Sequence, residues 1–261
     1  MRTVSVVVLI KDEENILPHT MPSIASLSPL IKEVIYIDDG STDNSYDVAH
    51  KIASQFSHFP LIWIEHKMEK WNEQRNVGLD RATGDFIVSI DADMSFTGNM
   101  RWEIEKGKFD RHDVWDFKIW VCRPDVYHYD LEIARGFTQT TRVIKNSGVR
   151  YIGDAHEQPE VYAAVSKTDL QARKIGDRPS KGTSGDVWFF ELSLLLPDSV
   201  LMERGRRLER FRKEMTDRGI PPPLHDRYMK RKHSDSEVRE VPPEIRDMVV
   251  TMEDALKHWG K

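Results

Sequence analysis

The chain has 261 residues, 39% of them hydrophobic and 31% charged, and its formal net charge is −5. This length predicts one main domain with an appendage around a sizeable core. The negative balance argues against a protein built throughout to hold nucleic acid, because phosphate binding draws on Lys and Arg. The lone Cys122 cannot form an internal disulfide and no N-terminal signal pattern is present, so we expect a cytoplasmic protein.

Two further features limit the cellular setting. The longest apolar run, Val4 to Ile10, is far shorter than the roughly 20 residues that cross a bilayer, so we expect no transmembrane segment. Peripheral attachment at the inner membrane face stays open. From Arg204 to Lys232 the chain holds eleven basic and four acidic residues, a stretch that faces phosphates, anionic lipid or only water.

The first hundred residues alternate strand and helix patterns. The run from Val4 to Ile10 is apolar and rich in β-branched residues, which is typical of a strand buried on both faces of a parallel sheet. Further strands are predicted at 33–37, 61–65 and 86–90, with helices at 14–26, 45–55 and 73–82. This alternation predicts an α/β fold, with a Rossmann-like, mainly parallel sheet flanked by helices.

Three acidic loops follow predicted strands, at Asp12 to Glu14, Asp38 to Asp43 and Asp91 to Asp93. In open α/β sheets, ligands bind beyond the carboxyl ends of the strands. Because these loops all leave their strands at that edge, we expect their carboxylates to surround one ligand.

Beyond Gly98 the pattern is less regular. A strand is predicted at 114–122, and a hairpin is predicted from 139–144 and 149–152 around the turn at 146–148. Charged helical segments interrupted by proline clusters follow from about residue 200. We therefore predict a domain at 1–200, with a ligand-binding half (1–100) and a second half (101–200), and a helical C-terminal extension at 201–261.

Asp91 and Asp93 stand one residue apart at a predicted strand end, where alternate side chains point the same way. Two such carboxylates can share a divalent cation. A hard cation such as Mg2+ or Mn2+ prefers oxygen ligands and would bridge a diphosphate. An Asp-x-Asp pair alone is weak evidence, since surface turns often contain one; its position after the strand makes it specific.

Four motifs follow one another along the chain: Lys11-Asp12-Glu13-Glu14-Asn15, Ile37-Asp38-Asp39-Gly40-Ser41-Thr42-Asp43, Gln74-Arg75-Asn76-Val77-Gly78 and Asp91-Ala92-Asp93. In this order they resemble the motifs of the inverting glycosyltransferases of family 2, which have the GT-A fold. The likeness covers about residues 3–100. A weaker one continues through Thr141-Arg142 to Gly153-Asp154-Ala155-His156-Glu157 and, with Trp71, resembles the bacterial lipopolysaccharide-core glucosyltransferase branch.

The resemblance implies roles for the acidic loops in holding a nucleotide sugar, with UDP as the nucleotide. Glu13 and Asp39 would contact the nucleoside, and Asp91 would bind ribose or organise its loop. Asp93 would hold the metal, Mn2+ or Mg2+, with His156 as an additional ligand. Arg75 would lie near the nucleotide, where a guanidinium pairs with a carboxylate or phosphate; the alternative is an arginine on a helix surface.

Inversion needs a general base that takes the proton from the acceptor hydroxyl. Glu157 is the predicted base and Asp154 the reserve candidate. In the simpler alternative, His156 and Glu157 only cap or hydrogen-bond a loop. The sequence differs here from the commoner Glu-Asp pattern of the family, and its first motif lacks the usual Pro-x-Tyr.

The predicted activity is a single, non-processive transfer to a glycan or lipid-linked acceptor. Processive synthases of the family carry Gln-x-x-Arg-Trp and membrane helices, whereas the only Arg-Trp here is Arg101-Trp102. Aromatic residues after the Asp-x-Asp motif either stack on acceptor sugars or form core: Trp115, Trp120, Tyr127, Tyr129 and Trp188. Two alternatives remain: transfer to hydroxymethylated bases in DNA, with the segment Arg204 to Lys232 holding phosphates, and a nucleotide-sugar-binding protein without turnover.

Overall fold

The fold is a central mixed β-sheet with helices on both faces, as seen in a computed structural model of the chain. The structure describes residues 1–67, 71–123, 125, 127–130, 140–147, 149, 151, 180–217 and 237–260. The strands are β1 (Val4–Ile10), β2 (Ile31–Asp38), β3 (Leu61–Glu65), β4 (Phe86–Asp91), β5 (Met94–Phe96), β6 (Val114–Val121), β7 (His128–Asp130), β8 (Thr140–Lys145), β9 (Lys181–Glu191) and β10 (Val238–Glu240). The α-helices are α1 (Leu17–Ala25), α2 (Ser45–Ala53), α3 (Trp71–Arg81), α4 (Met100–Glu105), α5 (Asp198–Asp217), α6 (Pro243–Arg246) and α7 (Met252–Trp259).

Within the described residues, eight strands form the main sheet, in the order β3-β2-β1-β4-β8-β6-β9-β5. The first four are parallel, while β8 runs antiparallel to both β4 and β6. The predicted mixed, mainly parallel sheet flanked by helices is therefore confirmed. In the first half, every predicted strand and helix is present, with boundaries shifted by a few residues at most.

β1 lies at the centre of the core because both of its faces are covered. Val4, Val6 and Val8 point into the larger hydrophobic cluster, with α1, α2 and α7. Val7 and Leu9 point to the opposite cluster, which includes Leu79 of α3 among others. Side chains alternate along a strand, so an unbroken apolar run supplies both clusters at once.

The predicted hairpin around 146–148 is wrong in its second half. β8 ends at Lys145 and pairs with β4 and β6, whereas Val149 and Tyr151 are not in a strand. Both residues are buried against the cluster beneath α3 instead. Packing of these two side chains on the sheet replaces the strand pairing that the turn signal favoured.

The last helix, α7, packs on the main domain. α7 begins at a capping box formed by Thr251 and Asp254, and its Ala255 is fully buried in the larger cluster. The N–H of Ser57 donates to the carbonyl of Trp259 at 2.9 Å, which ties the end of α7 to the N-terminal half. Across the described parts of the chain, no helix has both the length and the apolar character to cross a membrane.

Candidate functional site

The carboxyl ends of β1, β2 and β4 lie side by side. Ile10 is opposite Asp38 and Leu9 is opposite Asp91 in the parallel register. Beyond the strands, the N–H of Asp39 donates to the carbonyl of Ile10 at 3.1 Å, and the N–H of Ala92 donates to Leu9 at 2.9 Å. The predicted convergence of the three acidic loops at one edge is confirmed.

Some of the loop carboxylates serve to shape the loops themselves. Asp38 accepts hydrogen bonds from the N–H and hydroxyl of Ser41, at 2.9 and 2.6 Å. Asp12, at a φ of 53°, accepts from the N–H of Thr42 at 2.7 Å. Asp39 is half-buried at the end of β2 between them. The loops after β1 and β2 are thus joined to each other by their own side chains, which fixes the position of Asp39.

A close contact between α3 and β1 sets the position of the Arg75-Asn76 pair. A Cβ atom on Gly78 would lie 2.2 Å from Cγ1 of Val7, far inside van der Waals contact. Only glycine allows the helix to approach the strand this closely. Because Arg75 and Asn76 precede Gly78 by three and two residues, this approach brings both towards the acidic edge.

Asp91 is held by two arginines. Its carboxylate lies 2.7 Å from Nη2 of Arg75 and 3.5 Å from Nη1 of Arg142. Burial raises the pKa of Asp91, but the two guanidinium groups outweigh it and hold the pKa below its ordinary value. Asp91 is therefore ionised at neutral pH, and Arg75 lies in the site rather than on an open helix surface.

Asn76 fastens the chain at Tyr151 with two hydrogen bonds. Its Nδ2 donates to the carbonyl of Tyr151 at 2.7 Å, and its Oδ1 accepts from the N–H of Tyr151 at 2.8 Å. The guanidinium of Arg75 lies 5.7 Å from the centre of the Tyr151 ring. Consecutive residues of α3 thus hold the backbone and the ring of Tyr151, which precedes Asp154 by three residues and Glu157 by six.

We expect Asn76→Ala to lower the free energy of unfolding by about 1–3 kcal/mol, because it removes two neutral hydrogen bonds from Tyr151. Urea unfolding at neutral pH measures this difference. Asn15→Ala is the matched control, since Asn15 is exposed, and its expected change is below about 0.5 kcal/mol. Equal stability of the two variants would show that the Asn76 contact does not fasten the segment.

Asp93 and Glu13 share one buried arginine. Nη1 of Arg204 lies 3.1 Å from Oδ2 of Asp93, and its Nη2 contacts Oε2 of Glu13. All three side chains are buried or nearly so, with exposed fractions of 6% for Arg204, 9% for Glu13 and 14% for Asp93. Burial raises the pKa of Asp93, and the charge of Asp91 adds to this effect while Arg204 opposes it.

The structure brings most of the predicted binding residues to one edge. Glu13 and Asp93 meet through Arg204, Asp91 meets Arg75, and Asp39 lies on the neighbouring loop. Asp154, His156 and Glu157 lie outside the described residues, so their predicted roles stay predictions.

Two arginines of this edge were absent from the predicted site. Arg142 lies on β8, which pairs with β4. The Thr141-Arg142 pair was a weak sequence signal for it. Arg204 had no local signal, because its partners are 111 and 191 residues away. By sequence it belongs to a basic stretch expected to face phosphates, anionic lipid or water, whereas its side chain is only 6% exposed.

The aromatic residues considered for acceptor contact pack mainly on one another. The Trp120 ring stacks on Tyr129 at 4.4 Å and lies 4.5 Å from Trp188. Trp115 is buried against Phe109, which favours the core interpretation for it. Tyr127 is 40% exposed.

Comparison with a protein-family model gives a match over more than half of the chain. Residues 5–157 match the model described as "Glycosyl transferase family 2". The matched range contains the three strand-end loops, Arg75 and Arg142, and it ends before α5.

Curated relatives match over shorter stretches. A cholesterol galactosyltransferase of Borreliella burgdorferi is 34% identical over 84 residues, which are 32% of this chain and 23% of that protein. Glycosyltransferase GlyA of Streptococcus pneumoniae is 28% identical over 90 residues, or 34% of this chain and 13% of that protein. The matched stretch thus spans less than a quarter of either relative.

Solved structures share the fold at low sequence identity. Residues 1–349 of S. aureus TarS superpose with a TM-score of 0.54 at 16% identity, covering 73% of this chain and 60% of that one. The mannosyltransferase PcManGT of Pyrobaculum calidifontis gives a TM-score of 0.54 at 15% identity, covering 98% of this chain and 70% of that one. The architecture is therefore that of the GT-A glycosyltransferases, as predicted.

Proposed function

The chain belongs to glycosyl transferase family 2, and from this premise we propose that it moves a sugar from a nucleotide diphosphate sugar to an acceptor hydroxyl with inversion. The proposed donor is UDP-linked, and the proposed acceptor is a glycan or a lipid-linked glycan. The transfer is single rather than processive. The narrower resemblance to the lipopolysaccharide-core branch stays a prediction.

The observation that carries this proposal is the charge arrangement at the strand-end edge. Arg204 bridges the carboxylates that follow β1 and β4, two further arginines hold Asp91, and Asp39 lies on the loop after β2. Asp91 is engaged by both guanidinium groups, which supports the loop-organising role over ribose binding. Asp39 and Glu13 are the proposed nucleoside contacts, with Asp39 accepting from a base N–H.

A divalent cation fits this edge if the substrate supplies most of its ligands. The described parts of the chain gather no group of three or more His, Cys, Asp or Glu side chains suited to an ion. Asp93 provides one carboxylate, and Mg2+ in particular is commonly held by one or two carboxylates with phosphates and water. A bound Mn2+ or Mg2+ would neutralise charge on the departing diphosphate. PcManGT, which shares the fold, was solved with GDP-Man and Mn2+.

Side chains of the protein position the loops and supply the general base. Arg75 and Arg142 keep the Asp91 loop in place, and Asn76 fastens the segment that leads to the proposed base. Glu157, with Asp154 as the reserve, would take the proton of the acceptor hydroxyl as its oxygen attacks the anomeric carbon. The leaving diphosphate would depart on the opposite side.

We expect one nucleotide sugar to raise the melting temperature of the full chain only when Mn2+ or Mg2+ is present. At a hundred times its dissociation constant, a ligand adds about 2.7 kcal/mol, which corresponds to roughly 5–10 °C for a chain of this size. The measurement is a thermal-shift screen of UDP and GDP sugars with and without each ion.

ADP is the control nucleotide in that screen. Stabilisation by GDP sugars alone would replace the UDP proposal. If no nucleotide sugar stabilises the chain with either ion, the donor proposal is wrong. A stabilising sugar that is neither hydrolysed nor transferred would favour a binding protein without turnover.

A further inference from the structure

Arg204 reaches the acidic edge from outside the part of the chain that matches the family model. It lies on α5, 47 residues after the matched range ends at 157. Its two terminal nitrogens diverge to Glu13, after β1, and to Asp93, after β4. One guanidinium therefore bridges carboxylates from two different strand-end loops.

The position of Arg204 follows from how α5 packs. Leu201 is fully buried, in a cluster with Ile16 and Leu194 among others. Residues three apart lie on the same helix face, so the face that buries Leu201 also carries Arg204 inwards. Ile16 follows Glu13 by three residues, so the buried cluster that includes Leu201 of α5 also includes a residue next to the loop that supplies one of the two carboxylates.

Arg204 and a cation would compete for the carboxylate of Asp93. Arg204 lies 3.1 Å from the Oδ2 of Asp93, and an ion bound to Asp93 would come within a few ångströms of that guanidinium. Like charges repel more strongly where burial lowers the effective dielectric constant. The side chains of Arg204 and Asp93 are 6% and 14% exposed, so water screens this repulsion poorly.

We propose that Arg204 is the counter-ion that holds Glu13 and Asp93 together in the donor-free protein, and that a divalent cation has to displace its guanidinium from Asp93. This inference rests on the proposed function, because it takes Asp93 as the cation ligand. Arg204 is then a positioning residue that lowers the affinity of Asp93 for free metal ions. A cation brought with a diphosphate has additional ligands and overcomes the competition.

Removal of the Arg204 guanidinium should raise the affinity of the site for Mn2+. In Arg204→Gln, the positive group that lies between Glu13 and Asp93 is lost, and both carboxyl groups remain. We expect this variant to bind Mn2+ in the absence of nucleotide with a dissociation constant at least about tenfold lower than that of the wild type. Mn2+ should also raise its melting temperature more than that of the wild type.

The test is a titration of the full chain with Mn2+ alone, in which the electron paramagnetic resonance signal measures the concentration of unbound Mn2+. Arg206→Gln is the matched control, since Arg206 lies on the same helix but is 60% exposed and pairs with Glu203. The control should bind Mn2+ like the wild type. Adding Asp93→Asn to Arg204→Gln should abolish the gain.

A second pair of variants covers loss of folding in Arg204→Gln. The double variant Glu13→Gln with Arg204→Gln keeps only Asp93 of the three bridged side chains, and it should bind Mn2+ more tightly than Glu13→Gln alone. Equal Mn2+ affinity in wild type and Arg204→Gln, or in this second pair, would overturn the inference. Nucleotide is absent from every titration, so a failure of donor binding in the thermal screen remains a separate result.

Discussion

Asp93→Asn should lower sugar transfer by about a hundredfold or more while the protein remains folded. A cation that stabilises transition-state charge contributes several kcal/mol, and each 1.36 kcal/mol is a factor of ten in rate. The amide keeps the shape of the side chain and its oxygen can still accept from Arg204, but it loses the charge that holds a hard cation. Initial rates of donor turnover across a Mn2+ series measure the effect.

The control for Asp93→Asn is Asp110→Asn. Asp110 also pairs with an arginine, Arg2, but it lies next to the start of β1 rather than at the carboxyl edge. Both variants lose a carboxylate–guanidinium ion pair. Comparing their melting temperatures therefore separates the effect of a lost ion pair on stability from the effect on turnover. Undiminished metal-dependent turnover in Asp93→Asn would remove Asp93 from the cation site.

Glu157→Gln should lower transfer by roughly a hundred- to ten-thousand-fold with little change in donor affinity. This is the range that general base catalysis commonly contributes. Gln cannot accept the proton of the acceptor hydroxyl, yet it preserves the size of the side chain. Single-turnover rates give the effect on chemistry, and the thermal shift with donor gives the effect on binding.

Asp154→Asn separates the two candidates for the base. If Glu157 is the base, Asp154→Asn keeps most of the activity, and the acidic limb of the pH profile of kcat/KM is unchanged in it. The reverse pattern assigns the role to Asp154. Weakened donor binding in Glu157→Gln, without a loss in the chemical step, would place Glu157 in the donor site instead.

Much of the first half of the molecule was predictable because its signals are local. An apolar run such as Val4 to Ile10 specifies a strand buried on both faces wherever it is placed, since its alternating side chains need two apolar surroundings. The acidic residues that follow the strands were placed correctly at one edge because parallel strands end together. Gly78 in the third motif is different, because the reason for it is a tertiary contact with Val7 of β1.

The second half was less predictable, because pairing there is decided by distant partners. The turn residues 146–148 favoured a hairpin, but β8 pairs with β4 and β6, and Tyr151 packs under α3 with its backbone bonded to Asn76. A local turn signal cannot report which strand or side chain will be available elsewhere.

The sequence by itself determined the fold class, the family and the acidic edge, since each depends on patterns within a few consecutive residues. Only the tertiary structure decided that the side chain of Arg204, within the basic stretch of α5, contacts Glu13 and Asp93 at this edge. Its charge there is balanced by two carboxylates separated from it by 191 and 111 residues. A contact of that kind depends on how α5 packs against the sheet, which no local pattern specifies.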